Sequence, residues 1–119
     1  MTAETLTQRR INRATLARQM LLERERATPV EAIDRLGGLQ AQEAKHPFAG
    51  LWTRVQDFER EELASALRER DVVRASWLRA TLHLVSAGDY AAGRAALQPV
   101  IDEMRKFGHQ WLGCEVHPD

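Results

Sequence analysis

Apolar residues recur at helical spacing through the first half of the chain, and this pattern predicts four short helices. Thr7 is the expected N-cap of the first helix, which we predict to continue to about Glu25. Its apolar face is formed by Ile11, Ala14, Met20, Leu21 and Leu22. The arginines of this helix fall mostly on its other faces, where they are either solvated or able to follow DNA phosphates.

The second helix has the clearest start and end signals in the sequence. Thr28 is the expected N-cap, Pro29 occupies the first helical position, and Glu31 completes a capping box. The pair Gly37-Gly38 is typical of a helix C-terminus. We therefore predict about two turns of helix, with a buried stripe of Val30, Ala32, Ile33 and Leu36.

Two further helices follow a short segment, Leu39 to Gln42, that the sequence leaves as either extended or a first helical turn. One helix is expected from Pro47 to about Val55, with an apolar stripe of Phe48, Leu51, Trp52 and Val55. The next begins at Asp57 or just after it, and its inward positions are Leu63, Ala66 and Leu67.

The pattern then changes from helical spacing to alternation. Residues 72–77 and 81–85 are rich in β-branched and aromatic side chains, and residues 78–80 would form the turn between them. Helices followed by a β-hairpin are typical of a winged helix, in which the hairpin is the wing. We therefore predict a mainly α domain with one β-hairpin, of the winged-helix (helix-turn-helix) type.

A last helical region is predicted from Ser86, with Asp89 at the capping-box position and Pro99 kinking or breaking the helix. Its second piece would reach Gly108. We expect residues 1–86 to form the winged-helix domain. Residues 87–119 would be a C-terminal helical extension or the start of a following domain.

Composition narrows the function classes. The 119 residues carry 17 basic and 17 acidic side chains, which argues against a strong generic nucleic-acid binder. Fifteen of the basic residues are arginines, which suit phosphate contacts but also reflect simple coding bias. Cys114 is the single cysteine, so no intramolecular disulfide is expected, and with four scattered histidines no zinc-ligand spacing is present. No run of about 18 apolar residues is present, so we expect no membrane span and a cytoplasmic protein.

Four segments together resemble the AlkZ-like DNA glycosylases, often described as winged-helix DNA-binding domain proteins. The first segment is LTQRRINRATLARQMLL (6–22), and the more specific three are LGGLQAQE (36–43), GLWTRV (50–55) and VVRASWLRATLHLVSAGDY (72–90). The specific feature is their order: a glutamine–aliphatic–glutamine motif, then Leu-Trp-x-Arg, then R-x-T-L-H-L-V. The resemblance extends from Leu6 to about Val100.

This resemblance implies an activity. The family contains bacterial enzymes that excise alkylated purines from DNA with tandem winged-helix domains, without metal or other cofactor. The two glutamines of the motif, here Gln40 and Gln42, would be catalytic, and the partner would be double-stranded, alkylated DNA. Two positions depart from the pattern: Ala41 is smaller than usual, and Ala80 stands where many relatives have Gly. Family enzymes are several-fold longer, so we expect a first winged-helix unit that is incomplete as a catalyst.

The chemistry of glutamine fits such a reaction. An N7-alkylated guanine already carries positive charge and leaves as a neutral base, so no general acid is needed. A Gln amide oxygen can accept a hydrogen bond from a water and offer a negative dipole to the sugar cation. In an extended segment, Gln40 and Gln42 would point to the same side and could flank one water. The alternative is that both satisfy loose backbone groups.

Other candidate residues are DNA contacts. His83 and Arg79 lie at the predicted hairpin, and Arg54 and Arg13 lie in predicted helices. His83 is equally consistent with a half-buried ring bonded to a neighbouring carbonyl, and each arginine with a solvated side chain. Trp52 and Trp77 could stack on a base, but their apolar positions favour the core.

Two other functions stay open. The chain could be a non-catalytic winged-helix regulator that binds DNA through an exposed basic recognition helix. It could also be a truncated fragment that forms a homodimer through apolar surfaces exposed by missing domains. Any DNA-binding function implies a location at the nucleoid in the cytoplasm.

Overall fold

A computed structural model describes residues 5–107 of the chain. Within that range, helices and strands follow one another as α1 (Gln8–Arg18), α2 (Pro29–Leu36), β1 (Leu39–Gln40), α3 (His46–Trp52), α4 (Arg60–Arg68), β2 (Val72–Ser76), β3 (Leu82–Ser86) and α5 (Ala87–Phe107). A 3₁₀ turn, Leu78–Ala80, joins β2 to β3. No helix within the described range is both long and apolar enough to cross a bilayer.

The three strands form one antiparallel sheet in the order β1-β3-β2. The predicted hairpin is confirmed: Val72 pairs with Ser86 and Ser76 pairs with Leu82. β1 adds a third strand, which sequence alternation did not reveal because only two residues pair in it. With α2 before β1, and α3 and α4 between β1 and the hairpin, the arrangement is a winged-helix-like α/β domain, as predicted.

The main core lies between one face of the sheet and helices α2, α3 and α4. Alternation along β3 places Leu84 on this face and His83 and Val85 on the other. Burial of apolar side chains from every surrounding element holds these helices on the sheet. The buried members of the core are Met20, Ala32, Ile33, Ala41, Leu51, Val55, Leu63, Ala66, Val72 and Leu84.

Helix α2 forms as its signals predict. The Glu31 side chain accepts a hydrogen bond from Thr28 N (2.8 Å), and Thr28 Oγ1 accepts one from Glu31 N (3.2 Å). Gly37 ends the helix in the left-handed conformation, with φ 71°. Because capping interactions fix both ends of this helix, the point at which the chain leaves it and enters β1 is also fixed.

The prediction for α1 is wrong at its C-terminal end. Thr7 is the N-cap, but the helix ends at Arg18 rather than near Glu25. Met20 takes a left-handed conformation (φ 56°) and is 1% exposed, so the chain turns sharply to insert this side chain into the core. The predicted apolar face is otherwise unburied, since no residue of α1 is buried.

Helix α3 is also shorter than predicted, and Trp52 lies outside the core. The helix ends at Trp52, and Val55 is buried beyond it in an isolated bridge to Glu25. Trp52 is 56% exposed, and the Arg24 guanidinium lies 3.8 Å from the centre of its ring. The predicted position of Trp52 in the buried stripe is therefore wrong.

Helix α5 runs through Pro99 without a break, which corrects the prediction of two pieces. Ser86 Oγ accepts from Asp89 N at the start, as the sequence predicted. Pro99 removes the bond to the Ala95 carbonyl, but both residues are exposed, so water can solvate that oxygen. Ile101, 1% exposed, anchors the helix beyond the proline. Residues 108–119, the last part of the predicted C-terminal extension and the part that contains Cys114, lie outside the described residues.

Helix α5 packs against the hairpin through Gly93 and Trp77. A Cβ atom on Gly93 would lie 2.5 Å from the Trp77 ring, whereas one on Gly88 would meet nothing within 4 Å. Alanine normally favours a helix over glycine by about 1 kcal/mol. At Gly93, overpacking against a rigid ring outweighs that gain, because such insertions cost about 1–3 kcal/mol.

We therefore expect Gly93→Ala to lower the free energy of unfolding by up to about 2 kcal/mol. The matched change Gly88→Ala in the same helix should leave stability unchanged or raise it by up to about 1 kcal/mol. Urea unfolding of the two variants checks this. Equal effects of the two substitutions would show that Gly93 is not a packing contact.

Candidate functional site

The first glutamine of the motif lies on the edge strand β1. Gln40 pairs with His83 on β3, while its neighbours Leu39 and Ala41 face the core. Gln40 is exposed, and its side chain has no hydrogen-bond partner among residues 5–107. The extended alternative for this segment is therefore confirmed, with the Gln40 amide on the surface beside a fully buried Ala41.

A glycine turn sets the start of β1. Gly38 has φ 121°, and a Cβ atom there would lie 3.3 Å from the Trp77 ring and 3.4 Å from the Leu84 carbonyl oxygen. Any L-residue would be strained by this backbone conformation and crowded by these atoms. Trp77 Nε1 also donates to the Gly37 carbonyl (3.1 Å). The turn thus holds β1 against the centre of the sheet.

The second glutamine is held by its own side chain. Gln42 is half-buried, and its Oε1 accepts a hydrogen bond of 2.6 Å from Leu82 N. One residue earlier, Ala41 N donates to Leu82 O (2.8 Å). The side-chain amide thus replaces a backbone carbonyl at the end of the β1–β3 ladder. Its Nε2 has no hydrogen-bond partner in the described part of the chain, and Oε1 keeps a second lone pair.

Arg74 completes the site, although the sequence reasoning did not include it. Its Nε donates to the Ala41 carbonyl (2.9 Å) and its Nη2 to the Gln42 carbonyl (3.0 Å). The sequence feature that could have identified Arg74 is its position as an arginine among the apolar and small residues of strand β2. The structure therefore places an arginine directly on the backbone of the two-glutamine segment.

His83 lies beside the first glutamine, at the paired position on the neighbouring strand β3. It is 6% exposed, and its Nδ1 is 3.0 Å from the Thr81 carbonyl oxygen. Because a carbonyl can only accept, this contact is a hydrogen bond in the tautomer that has its proton on Nδ1. This contact is the one expected under the alternative in which His83 is a half-buried ring bonded to a neighbouring carbonyl. The residue is next to the glutamine site, but little of it is accessible to a phosphate.

The three arginines predicted to contact DNA have different surroundings. Arg79 is exposed at the hairpin turn with φ 56°, and Arg13 is exposed on α1. Arg54 instead donates from Nε to the Gln19 carbonyl (2.8 Å) and from Nη1 to the Gly50 carbonyl (2.9 Å). Desolvation by partial burial lowers the pKa of Arg54. Its hydrogen bonds join the end of α1 to α3.

The exposed helices α1 and α4 differ in net charge. Helix α1 carries four arginines and no acidic residue, whereas α4 carries two arginines and two glutamates. In α4, Arg68 pairs with Glu61, and the Arg60 guanidinium lies over the Phe48 ring. Of these two helices, α1 therefore carries a net positive charge and α4 carries none.

No group of three or more His, Cys, Asp or Glu side chains in the part of the chain that the structure describes could hold a metal ion. The groups gathered around β1 are amides, carbonyls, one imidazole and one guanidinium. Such a set can orient a water and stabilise developing charge, but it offers no cluster of metal ligands.

A comparison with protein families gives a match that covers the glutamine site. The family model described as DNA glycosylase AlkZ-like matches residues 33–118, which include β1, the hairpin and α5. No curated protein and no solved structure matches the chain. The matched region covers well over half of the sequence and contains both glutamines. The chain belongs to the AlkZ-like family of DNA glycosylases.

Proposed function

We propose that this chain carries the hydrolytic segment of a DNA glycosylase that cleaves the N-glycosidic bond of N7-alkylated purines. The supporting observation is the arrangement of Gln40 and Gln42 around the buried Ala41. One amide is exposed with no partner among the described residues, and the other is anchored to the adjacent strand. Membership of the glycosylase family gives this arrangement its chemical context.

The substrate class follows from what glutamine can do. Hydrolysis of a glycosidic bond passes through a sugar with oxocarbenium character. An ordinary base needs an acid to assist its departure, and a Gln side chain has no proton to give at neutral pH. A base alkylated at N7 is already cationic and leaves as a neutral molecule. The site therefore suits a substrate that needs only a positioned water and a stabilised sugar cation.

The two glutamines would then have unequal roles. Gln40 offers an unengaged amide oxygen that can accept a hydrogen bond from the attacking water. Gln42, fixed by the Leu82 amide (2.6 Å), directs its remaining lone pair and its Nε2 in one orientation. Preorganised dipoles of this kind lower the barrier because they need no rearrangement as charge develops.

The arginines of α1 and the hairpin would hold the DNA. Arg13 and Arg79 are exposed, and no hydrogen bond of either guanidinium lies within the described residues. Guanidinium groups bind phosphate well and would position the duplex without reading its sequence. We propose duplex DNA containing the lesion as the partner, and the cytoplasmic nucleoid as the location.

The charge of α4 favours this proposal over a sequence-reading regulator. In a winged helix of the regulatory kind, the second helix of the α3–α4 pair would enter the major groove. Here α4 has no net charge, and its Arg68 is paired with Glu61. The proposed functional surface is therefore the edge of the sheet at β1.

Because this chain is a single winged-helix unit that we expect to be incomplete as a catalyst, we expect it to release N7-methylguanine from duplex DNA slowly but faster than the no-protein background, and to leave neutral hypoxanthine in place. Only the cationic base departs without an acid. The measurement is base release under single-turnover conditions, with protein in excess so that weak DNA binding does not hide the chemical step. A matched duplex with unmodified guanine is the control.

Equal release of the cationic and the neutral base would contradict the proposal, because it would require an acid that the two glutamines do not supply. Absence of release by folded, DNA-saturated protein would contradict the assignment of hydrolysis to this chain.

A further inference from the structure

Four hydrogen bonds converge on two residues just beyond the end of β1. Ala41 N donates to Leu82 O (2.8 Å), and Leu82 N donates to the Gln42 side chain (2.6 Å). Arg74 donates to both the Ala41 carbonyl (2.9 Å) and the Gln42 carbonyl (3.0 Å). Two of these bonds come from the neighbouring strand, and the other two come from a single side chain.

The Arg74 side chain crosses the middle strand of the sheet to make these contacts. Arg74 pairs with Leu84, and Leu84 pairs with Leu39, so the three residues lie in one row across β2, β3 and β1. Adjacent strands are about 4.8 Å apart, so the side chain and the hydrogen bonds of 2.9 and 3.0 Å that it donates together bridge two strand spacings. Arginine is long enough to do this.

The carbonyl groups of Ala41 and Gln42 have a relative orientation that a regular strand does not provide. In a pleated strand, consecutive carbonyls point to opposite sides. Here the carbonyls of Ala41 and Gln42 both receive donors from one guanidinium, and the strand ends at Gln40. Because the guanidinium donors form a rigid fork, the bond pair fixes the relative orientation of the two peptide groups.

We infer that Arg74 is a positioning residue for the glutamine site, a role that rests on the proposed function. It holds the Ala41–Gln42 backbone where the chain leaves the strand. The Gln42 side chain therefore turns back to the Leu82 amide and takes one orientation. Arg74 itself does not contact the substrate. A lysine at this position offers one compact ammonium group and cannot donate in parallel to both carbonyls.

The test is amide hydrogen exchange of the full chain by NMR, comparing Arg74→Lys with the wild type. We expect the amides of Leu82 and Ala41 to exchange at least about tenfold faster in the variant, which corresponds to a loss of about 1.4 kcal/mol in local stability. The amide of Ala32, in the buried part of α2, should be unchanged. Exchange is a suitable measurement because it reads the segment directly and does not depend on catalysis.

Arg94→Lys is the matched control. The Arg94 guanidinium also bonds a backbone carbonyl of β2, that of Ser76 (3.3 Å), but no contact joins it to the glutamine segment. Arg94→Lys should leave the exchange rates of the Leu82 and Ala41 amides as in the wild type. Unchanged exchange of those amides in Arg74→Lys, or equal acceleration at Ala32, would overturn the inference.

Base release by the same variants separates this inference from the proposed function. At saturating DNA, Arg74→Lys should slow base release while DNA affinity stays as in the wild type. If the wild type releases no base but the exchange result holds, the proposed function fails and the positioning role stands. If the glutamine variants lose activity while exchange in Arg74→Lys is unaffected, the positioning role fails and the proposed function stands.

Discussion

Replacing Trp77 with alanine is expected to lower the free energy of unfolding by about 3–5 kcal/mol. Trp77 is 7% exposed, contacts Gly93 on α5, and donates from its indole to the Gly37 carbonyl (3.1 Å). Its ring centre is also 6.2 Å from that of Tyr90. One side chain therefore joins the hairpin, the last helix and the turn before β1, and its removal leaves a large cavity among them.

Two controls separate the contributions of this residue. Trp77→Phe keeps most of the aromatic volume but leaves the Gly37 carbonyl without its donor, which should cost about 1–2 kcal/mol. Leu78→Ala, at the adjacent position, removes a side chain that is 46% exposed and should change stability by less than about 0.5 kcal/mol. Urea unfolding measures all three. A cost for Trp77→Ala no larger than that for Leu78→Ala would contradict the packing described for this residue.

The largest effect on activity is expected at Gln40. Its side chain is exposed and has no hydrogen-bond partner among residues 5–107, so Gln40→Ala should change stability by less than about 0.5 kcal/mol. If its amide oxygen positions the attacking water, the same change should slow base release by about 10²–10³-fold, the usual cost of removing one catalytic hydrogen-bonding group. A stable but slow variant is therefore the expected combination.

Gln42→Ala should lower both activity and stability. Loss of the side chain leaves the Leu82 amide without its acceptor, which should lower the free energy of unfolding by about 1 kcal/mol or more. The rate of base release should fall by an amount similar to that for Gln40→Ala. Gln56→Ala, which removes an exposed glutamine from a loop outside the site, is the matched control and should alter neither quantity. Full activity of Gln42→Ala would show that this glutamine only completes the strand ladder.

The parts of the fold that could be predicted are those fixed by local chemistry. The capping box of α2 involves Thr28 and Glu31, three residues apart, and the left-handed Gly37 follows directly. The hairpin was equally accessible, because alternation and the short turn between its strands fix the pairing of Val72 with Ser86. Such signals need no knowledge of distant residues.

The parts that were mispredicted depend on tertiary contacts. The helical pattern of α1 continues beyond Arg18, but burial of Met20 favours a turn over further helix. Trp52 occupies an apolar position in the helical pattern, yet that face of α3 is exposed and the ring contacts Arg24 instead. Spacing along one helix cannot tell which of its faces the rest of the chain will cover.

The candidate site divides in the same way into features that local sequence predicts and features that depend on tertiary contacts. The resemblance pointed to Gln40 and Gln42. The sequence left their segment as either extended or a first helical turn, and the structure has the extended form at Leu39–Gln40. The Arg74 contacts could not be predicted, because Arg74 and Ala41 are 33 positions apart and meet only through the strand order β1-β3-β2. The engagement of Gln42 with Leu82 depends on the register of β1 against β3, which a two-residue strand does not reveal from sequence.

The most direct test of the glutamine site is single-turnover release of N7-methylguanine by the wild type and by the double variant Gln40→Ala/Gln42→Ala, with DNA affinity measured in parallel. We expect release by the wild type and only background release by the double variant, with both binding the duplex equally well, because the arginines of α1 and the hairpin are intact. Equal release by the two proteins would show that hydrolysis does not depend on this segment and would contradict the proposed mechanism.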